Sequence, residues 1–174
     1  MRTLVVYESM FGNTRQIAEA IAEGLSTAGN GMDVEVQEVS SAPTEVTADL
    51  LVVGAPTHAF MLSRPETRQA AADQVETGQE LVSQGIGLRE WLDQVRVPNG
   101  TAAAVFITRV RRPPLPTFAG RQAKQRLERR GCRLVTRPES FYVSGTPGPL
   151  LVGEVDRAQQ WATQLAGSLT PTEV

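Results

Sequence analysis

Short apolar runs separated by segments of helical spacing constrain this chain more than any other feature. Leu4-Val5-Val6-Tyr7, Leu50-Leu51-Val52-Val53-Gly54 and Thr101–Ile107 (TAAAVFI) are predominantly apolar rather than alternating. A strand that is apolar on both sides is buried on both faces, as in parallel sheets covered by helices. Between these runs the period changes. Ile17, Ala18, Ile21, Ala22 and Leu25 form a helical stripe, with a repeat of about 3.6 residues, between Thr14 and Ser26. Gly29-Asn30-Gly31 stops it.

The same alternation continues to the end of the chain. Val34, Val36 and Val39 predict a second strand, broken by Ser40-Ser41-Ala42-Pro43. The third strand closes at Ala55-Pro56, and helices are expected near Pro65–Gln74 and Leu88–Val95. After the turn Val97-Pro98-Asn99-Gly100 and the fourth strand, Thr117–Arg130 suits a helix with a basic outer face, stopped by Gly131. Arg133–Thr136 and Ser140–Val143 bracket a fifth strand, or a broken one, interrupted by Pro138. A last helix is expected from about Glu154 to Ala166, with Val155, Ala158, Trp161, Ala162 and Leu165 inward. Five strands alternating with helices predict a three-layer α/β fold with a doubly wound, five-stranded parallel sheet of order 2-1-3-4-5. At 174 residues the expectation is a single domain, 1–174, without internal repeats. Pro113-Pro114-Leu115-Pro116 reads as a stiff loop rather than as a polyproline ligand.

Composition narrows the setting. Cys132 is the single cysteine, which rules out an intrachain disulfide and suits a reducing compartment. No stretch approaches the roughly 20 apolar residues of a membrane span, and Met1 leads directly into a strand without a signal peptide. The expectation is a soluble cytoplasmic protein. The net charge of −2 conceals an asymmetry. Residues 1–100 carry 6 arginines and 14 acidic residues, a net of −8; residues 101–174 carry 11 Lys/Arg and 5 acidic residues, a net of +6. The basic excess lies between Arg109 and Arg137, in RVRRPPLP and RQAKQRLERRGCR. It reads either as a solvated loop and helix face or as a docking surface for an acidic partner or a phosphate-bearing ligand. The run has no aromatic interleaving and the whole chain is slightly acidic, which argues against nucleic acid.

In a sheet of order 2-1-3-4-5, ligands bind beyond the carboxyl ends of strands 1 and 3, where the order reverses. Both loops there are unusual. Glu8-Ser9-Met10-Phe11-Gly12-Asn13-Thr14 places two hydroxyls, an amide and free backbone N–H groups at a helix N-terminus. Unpaired N–H groups and the helix dipole make that position attractive to an anion. No lysine follows Gly12, so this is not a P-loop, and the three glycines of the dinucleotide fingerprint are absent. The plainer reading makes Asn13 or Thr14 a helix cap. Ala55-Pro56-Thr57-His58-Ala59-Phe60-Met61 mixes a rigid residue, a hydroxyl, the only histidine and two flat or soft apolar side chains. That mixture suits a wall beside a planar heterocycle. His58 has no Cys or His companion, so no metal site is expected, and no GxSxG elbow accompanies it.

The run VVYESMFGNTRQIAEAIAEGL resembles the phosphate-binding start of flavodoxins and flavodoxin-like reductases, and VVGAPTHAF resembles their second flavin loop. The resemblance implies flavin mononucleotide (FMN), held non-covalently. Its phosphate would lie on Ser9, Met10, Phe11, Gly12, Asn13 and Thr14. The isoalloxazine ring would lie against Pro56, Thr57, His58 and Ala59, with Phe60 close by. A third family loop, after strand 4, corresponds to Thr108, Arg109 and Val110. The implied role is electron transfer with a redox partner protein, or reduction of a small acceptor of quinone type; no catalytic acid or base is singled out. Two departures favour an alternative, a flavin-free binding module acting through a partner-docking surface. Many flavodoxins stack an aromatic residue on the outer ring face, whereas Thr108–Pro116 contains none, and the Arg109–Arg112 cluster stands in a chain without the strong acidity usual in electron-carrier flavodoxins. A histidine bordering the ring would titrate near its ordinary value of about 6.5.

Overall fold

The computed structural model describes residues 1–28, 31–75, 80–114 and 116–169. Gly29 and Asn30, expected to stop the first helix, and Leu115 of the proline loop lie outside them. Strand β1 (Arg2–Tyr7) leads into helix α1 (Asn13–Ala28), and the chain returns through β2 (Asp33–Glu38). β3 (Leu50–Pro56) precedes two short helices, α2 (Pro65–Ala72) and α3 (Leu88–Leu92). β4 (Ala102–Val110), α4 (Ala119–Arg129), β5 (Arg133–Leu134), β6 (Glu139–Val143) and α5 (Glu154–Leu169) complete the fold.

The sheet is parallel throughout, in the order β2-β1-β3-β4-β5, with β6 also paired to β4. The fifth position is therefore filled by two pieces. β5 runs beside Ala102 and Ala103, and β6 beside Phe106 to Val110. Pro138 lies in the gap, where it has no N–H to give a ladder. It packs instead on α4, so closely that a Cβ at Gly120 would come within 2.9 Å of the Pro138 Cβ. β4 runs three residues past the expected Ile107, because Phe141, Tyr142 and Val143 provide ladder partners for Thr108, Arg109 and Val110.

Strand side chains alternate between two cores. Leu4, Val6, Leu51, Val53, Val105 and Ile107 pack with Leu88, Trp91 and Leu92 of α3 and Ala123 and Leu127 of α4. Val5, Tyr7, Val52, Ala104 and Phe106 face the other way, against Ile17, Ile21 and Leu25 of α1 and Ala158, Ala162 and Leu165 of α5. Each fully buried Leu or Ile contributes about 1.5–3 kcal/mol. The edge strand β2 keeps Asp33 and Glu35 exposed, which discourages pairing with another chain.

One inward assignment is corrected. Val155 is exposed, and its neighbour Glu154 is buried instead. The Glu154 carboxylate accepts the Tyr142 amide at 2.7 Å and pairs with Arg157 at 2.7 Å, while Arg157 also pairs with Glu139 at 2.6 Å and lies 4.4 Å from the Phe141 ring. A carboxylate with that many partners turns inward at lower cost than the helical period suggests. Burial alone would raise the Glu154 pKa, but Arg157 and the Tyr142 amide hold it below the usual value. This cluster fastens β6 to α5.

Candidate cofactor site

The carboxyl ends of β1, β3 and β4 open onto a cavity of about 300 Å³. Its place is the reversal point of the strand order. Its size is at the lower end of small-molecule sites, roughly 300–1,000 Å³.

The loop after β1 forms one end. Ser9 is fully buried, and its Oγ accepts the amides of Gly12 at 3.1 Å and Arg15 at 3.3 Å. Those two bonds fold the loop into a tight bend, for which Gly12 adopts φ +91°. Among the described residues, the amides of Met10, Phe11, Asn13 and Thr14 take no acceptor. They lie at the positive end of a 16-residue helix. The Thr14 and Thr108 hydroxyls are buried and 2.7 Å apart, which joins the first loop to β4. The Asn13 side-chain amide donates to the Pro147 carbonyl at 3.2 Å, so it anchors the turn after β6. Behind the loop, Ser9 and Ser83 exchange hydrogen bonds at 2.7 and 2.9 Å, and the Ser83 hydroxyl donates to Glu38 at 2.7 Å.

Pro56, Thr57, His58 and Ala59 form the second wall. The Thr57 amide donates to the Thr108 carbonyl at 2.9 Å, extending the ladder one residue beyond β3. His58 and Met61 then exchange both backbone hydrogen bonds, at 2.8 and 2.9 Å. The two residues between them, Ala59 at φ +44° and Phe60 at φ +71°, have the φ signs of a type I′ turn. Phe60 lies at the apex of that turn, is 43 % exposed and does not line the cavity. Thr108, Arg109 and Val110 line it as the last residues of β4 rather than as a loop.

All the residues singled out in the sequence line the cavity except Gly12, which shapes its loop, and Phe60. The third wall was not anticipated. Thr67, Ala70 and Ala71 of α2, with Gln74 just beyond it, line the cavity at helical spacing, and Val143 and Thr146 close the side by β6. The only signal in the sequence for the α2 face was that spacing of small residues.

The electrostatics favour an anion. Among the described residues, Arg109 and His58 line the cavity and no Asp or Glu does. Burial, above all, lowers the His58 pKa below its ordinary 6.5; a hydrogen bond to the Thr67 backbone works against this and the Arg68 charge adds to it. The expectation of titration near 6.5 is thus displaced downward, and the imidazole is neutral at pH 7. Glu8, next to Ser9, faces the other side of the sheet, where Oε2 accepts the Leu88 amide at 2.7 Å. The basic region divides in two. Arg126 pairs with Asp93 at 3.1 Å and Arg130 donates to the Leu92 and Asp93 carbonyls, so these two fasten α4 to the end of α3. Arg111 and Arg112 are exposed beside the site.

Residues 5–81 match the family model described as Flavodoxin. No curated protein matches the chain. Among solved structures, oxidised flavodoxin 2 from Bacillus cereus is similar at 20 % identity and a TM-score of 0.68, over 97 % of this chain and 100 % of that one. Oxidised flavodoxin 1 from Bacillus cereus gives 18 % and 0.68, over 98 % and 100 %. A flavodoxin from the domain Archaea gives 18 % and 0.64, over 96 % and 97 %. At these identities the structures speak for the fold alone, and they do so across nearly the whole chain. The family match spans both loops at the cavity, and the fold around it is flavodoxin-like across nearly the whole chain.

Proposed function

We propose that this protein binds FMN non-covalently in the cavity between β1, β3 and β4 and passes electrons to a redox partner or to a small acceptor of quinone type. One observation carries the reading. An unpartnered helix terminus and a wall of rigid or small groups meet at a single cavity that no carboxylate lines among the described residues. FMN, when bound, supplies the redox chemistry; the protein supplies position and electrostatics. The amides of Met10, Phe11, Asn13 and Thr14, with the Thr14–Thr108 hydroxyl pair, would hold the phosphate. Pro56, Thr57, His58, Ala59 and the small residues of α2 would flank the ring. Neutral His58 adds no charge there at pH 7.

The test is titration of the purified protein with FMN and with riboflavin, followed by visible absorption. Thr14→Glu places a carboxylate where the phosphate is held. Loss of charge-assisted hydrogen bonds at roughly 1.5–3 kcal/mol each would weaken FMN by orders of magnitude. Riboflavin, which lacks the phosphate, should change far less. Equal losses for the two ligands would show that the phosphate is not held by this loop. Thr14 is buried, so melting curves and the milder Thr14→Val accompany the measurement.

A second reading, a flavin-free binding module, has one observation in its favour. Among the described residues, Phe11 is the only Phe, Tyr or Trp lining the cavity, so β4 brings no such ring to stack on a flavin. A colourless protein whose spectrum is unmoved by FMN would decide for it.

A further inference from the structure

We infer that the rim of the cavity is a docking surface for an acidic protein, anchored on Phe60 and Phe118 and oriented by Arg109, Arg111 and Arg112. The two aromatic side chains are 43 and 45 % exposed. They are neighbours, because the Phe118 amide donates to the Phe60 carbonyl at 2.6 Å and the Thr57 and Thr117 hydroxyls are 3.3 Å apart. Phe60 is held out at a cost. Its φ of +71° suits glycine or asparagine, and a bulky residue held there against its backbone preference marks a position kept for its side chain. The cations lie at the same end of the sheet, linked to this pair through Thr57, whose amide donates to the carbonyl of Thr108, next to Arg109, at 2.9 Å and whose hydroxyl lies 3.3 Å from that of Thr117, next to Phe118. Arg109 lines both the cavity and a groove formed with Arg111, Arg112, Pro113, Pro114 and Tyr142, where Arg111 lies 5.8 Å from the Tyr142 ring. Glu154, the carboxylate that feels the Arg111 charge, is already bound to Arg157 and to the Tyr142 amide. Exposed aromatics beside arginine are the composition of an interface core. The charges of Arg109, Arg111 and Arg112, gathered in one groove, would orient an acidic partner toward this end of the sheet. Interfaces of redox encounters are small, below about 1,200 Å² in total, so a few anchors suffice.

The inference rests on the FMN reading only for what passes between the proteins; docking itself does not require the cofactor. The experiment titrates the whole chain, with and without FMN, against an acidic plant-type ferredoxin and against basic cytochrome c, by calorimetry. The ferredoxin should bind and lose at least about tenfold in affinity between roughly 20 and 200 mM salt, as the Debye length shrinks. Arg111→Glu with Arg112→Glu should remove that salt dependence. Phe60→Gly and Phe118→Ser should each weaken binding about tenfold, as loss of an anchor does, and leave the salt slope unchanged. Both variants should keep or raise the melting temperature, because glycine accepts the φ of residue 60 and serine is a favoured N-cap for α4, whose N-cap is Phe118. Equal binding of ferredoxin and cytochrome c, no binding of either, or unaffected Phe variants would overturn the inference. So would displacement of ferredoxin by millimolar inorganic phosphate, which would make the groove a small-anion site. Ferredoxin binding by a chain that refuses FMN would separate failure of the cofactor reading from failure of this one.

Discussion

Glu8 is the acid in the least water-like surroundings of the described chain. It is fully buried, with Oε2 on the Leu88 amide and no partner for Oε1. Burial pushes its pKa above the ordinary 4.5, against the opposing pull of Ser63, the Leu88 amide and Arg68. A carboxyl raised in the folded state stabilises fully below its unfolded pKa, and that contribution is lost as pH rises through the folded value. Glu8→Gln keeps the acceptor and cannot ionise. Its melting temperature relative to the wild type should therefore rise from pH 5 to pH 8. A difference that stays constant over that range would mean that Glu8 is ionised in place and held by Arg68. Cys132 has the same cause without the consequence, since burial pushes its thiol to about 11 and keeps it protonated. At this scale the sequence was legible for residues that act through type. Ser9 and Thr14 were identified from hydroxyls at a helix start, and both line the cavity. The outward aim of Phe60 was not legible, because Ala59-Phe60 contains none of the glycine or asparagine that normally announces a I′ turn.

Between elements, the close contact of α1 with α5 rests on a missing side chain. A Cβ on Gly24 would stand 2.5 Å from the Gln159 carbonyl oxygen and 2.8 Å from the Ala162 Cβ. Glycine inside a helix costs about 1 kcal/mol relative to alanine. Gly24→Ala would recover that, but overpacking typically costs about 1–3 kcal/mol. The variant should melt a few degrees lower, at roughly 2–4 °C per kcal/mol for a chain of this size. A higher melting temperature would show that the two helices separate without penalty. The elements themselves were legible because strands and helices bury their apolar residues with different periods. The misses came where tertiary context overrode the local pattern. Arg133–Val143 divides around Pro138 because α4 takes the proline, and β4 outruns its apolar core because β6 supplies it with partners. α2 was expected as a helix, yet nothing in small residues such as Ala70 and Ala71 marked its face as a wall of the site.

Across the whole molecule, chemistry and support lie at opposite ends of the sheet. The cavity, the strained turn, the Arg109–Arg112 groove and both exposed aromatics gather at the carboxyl ends of β1, β3 and β4. At the other end, the Asp33 amide donates to the Met1 carbonyl at 3.0 Å and the Gly100 amide to the Gly131 carbonyl at 2.7 Å, tying neighbouring segments together. A ligand that binds only the folded state raises stability by mass action, about 2.7 kcal/mol at a hundred times its dissociation constant. That gain need not be uniform, because local opening is decided by local contacts. FMN should slow amide hydrogen exchange at Met10, Phe11, Asn13 and Thr14, in the His58–Met61 turn and along α2. The amides of Asp33 and Gly100 should change only by the global increment. Riboflavin should protect the turn and α2 while leaving the four amides of the first loop exchanging as before. That contrast separates the phosphate end of the site from the ring end within one experiment. Protection spread evenly over the sheet by both ligands would mean that stabilisation is global and that the loop after β1 makes no phosphate contact of its own.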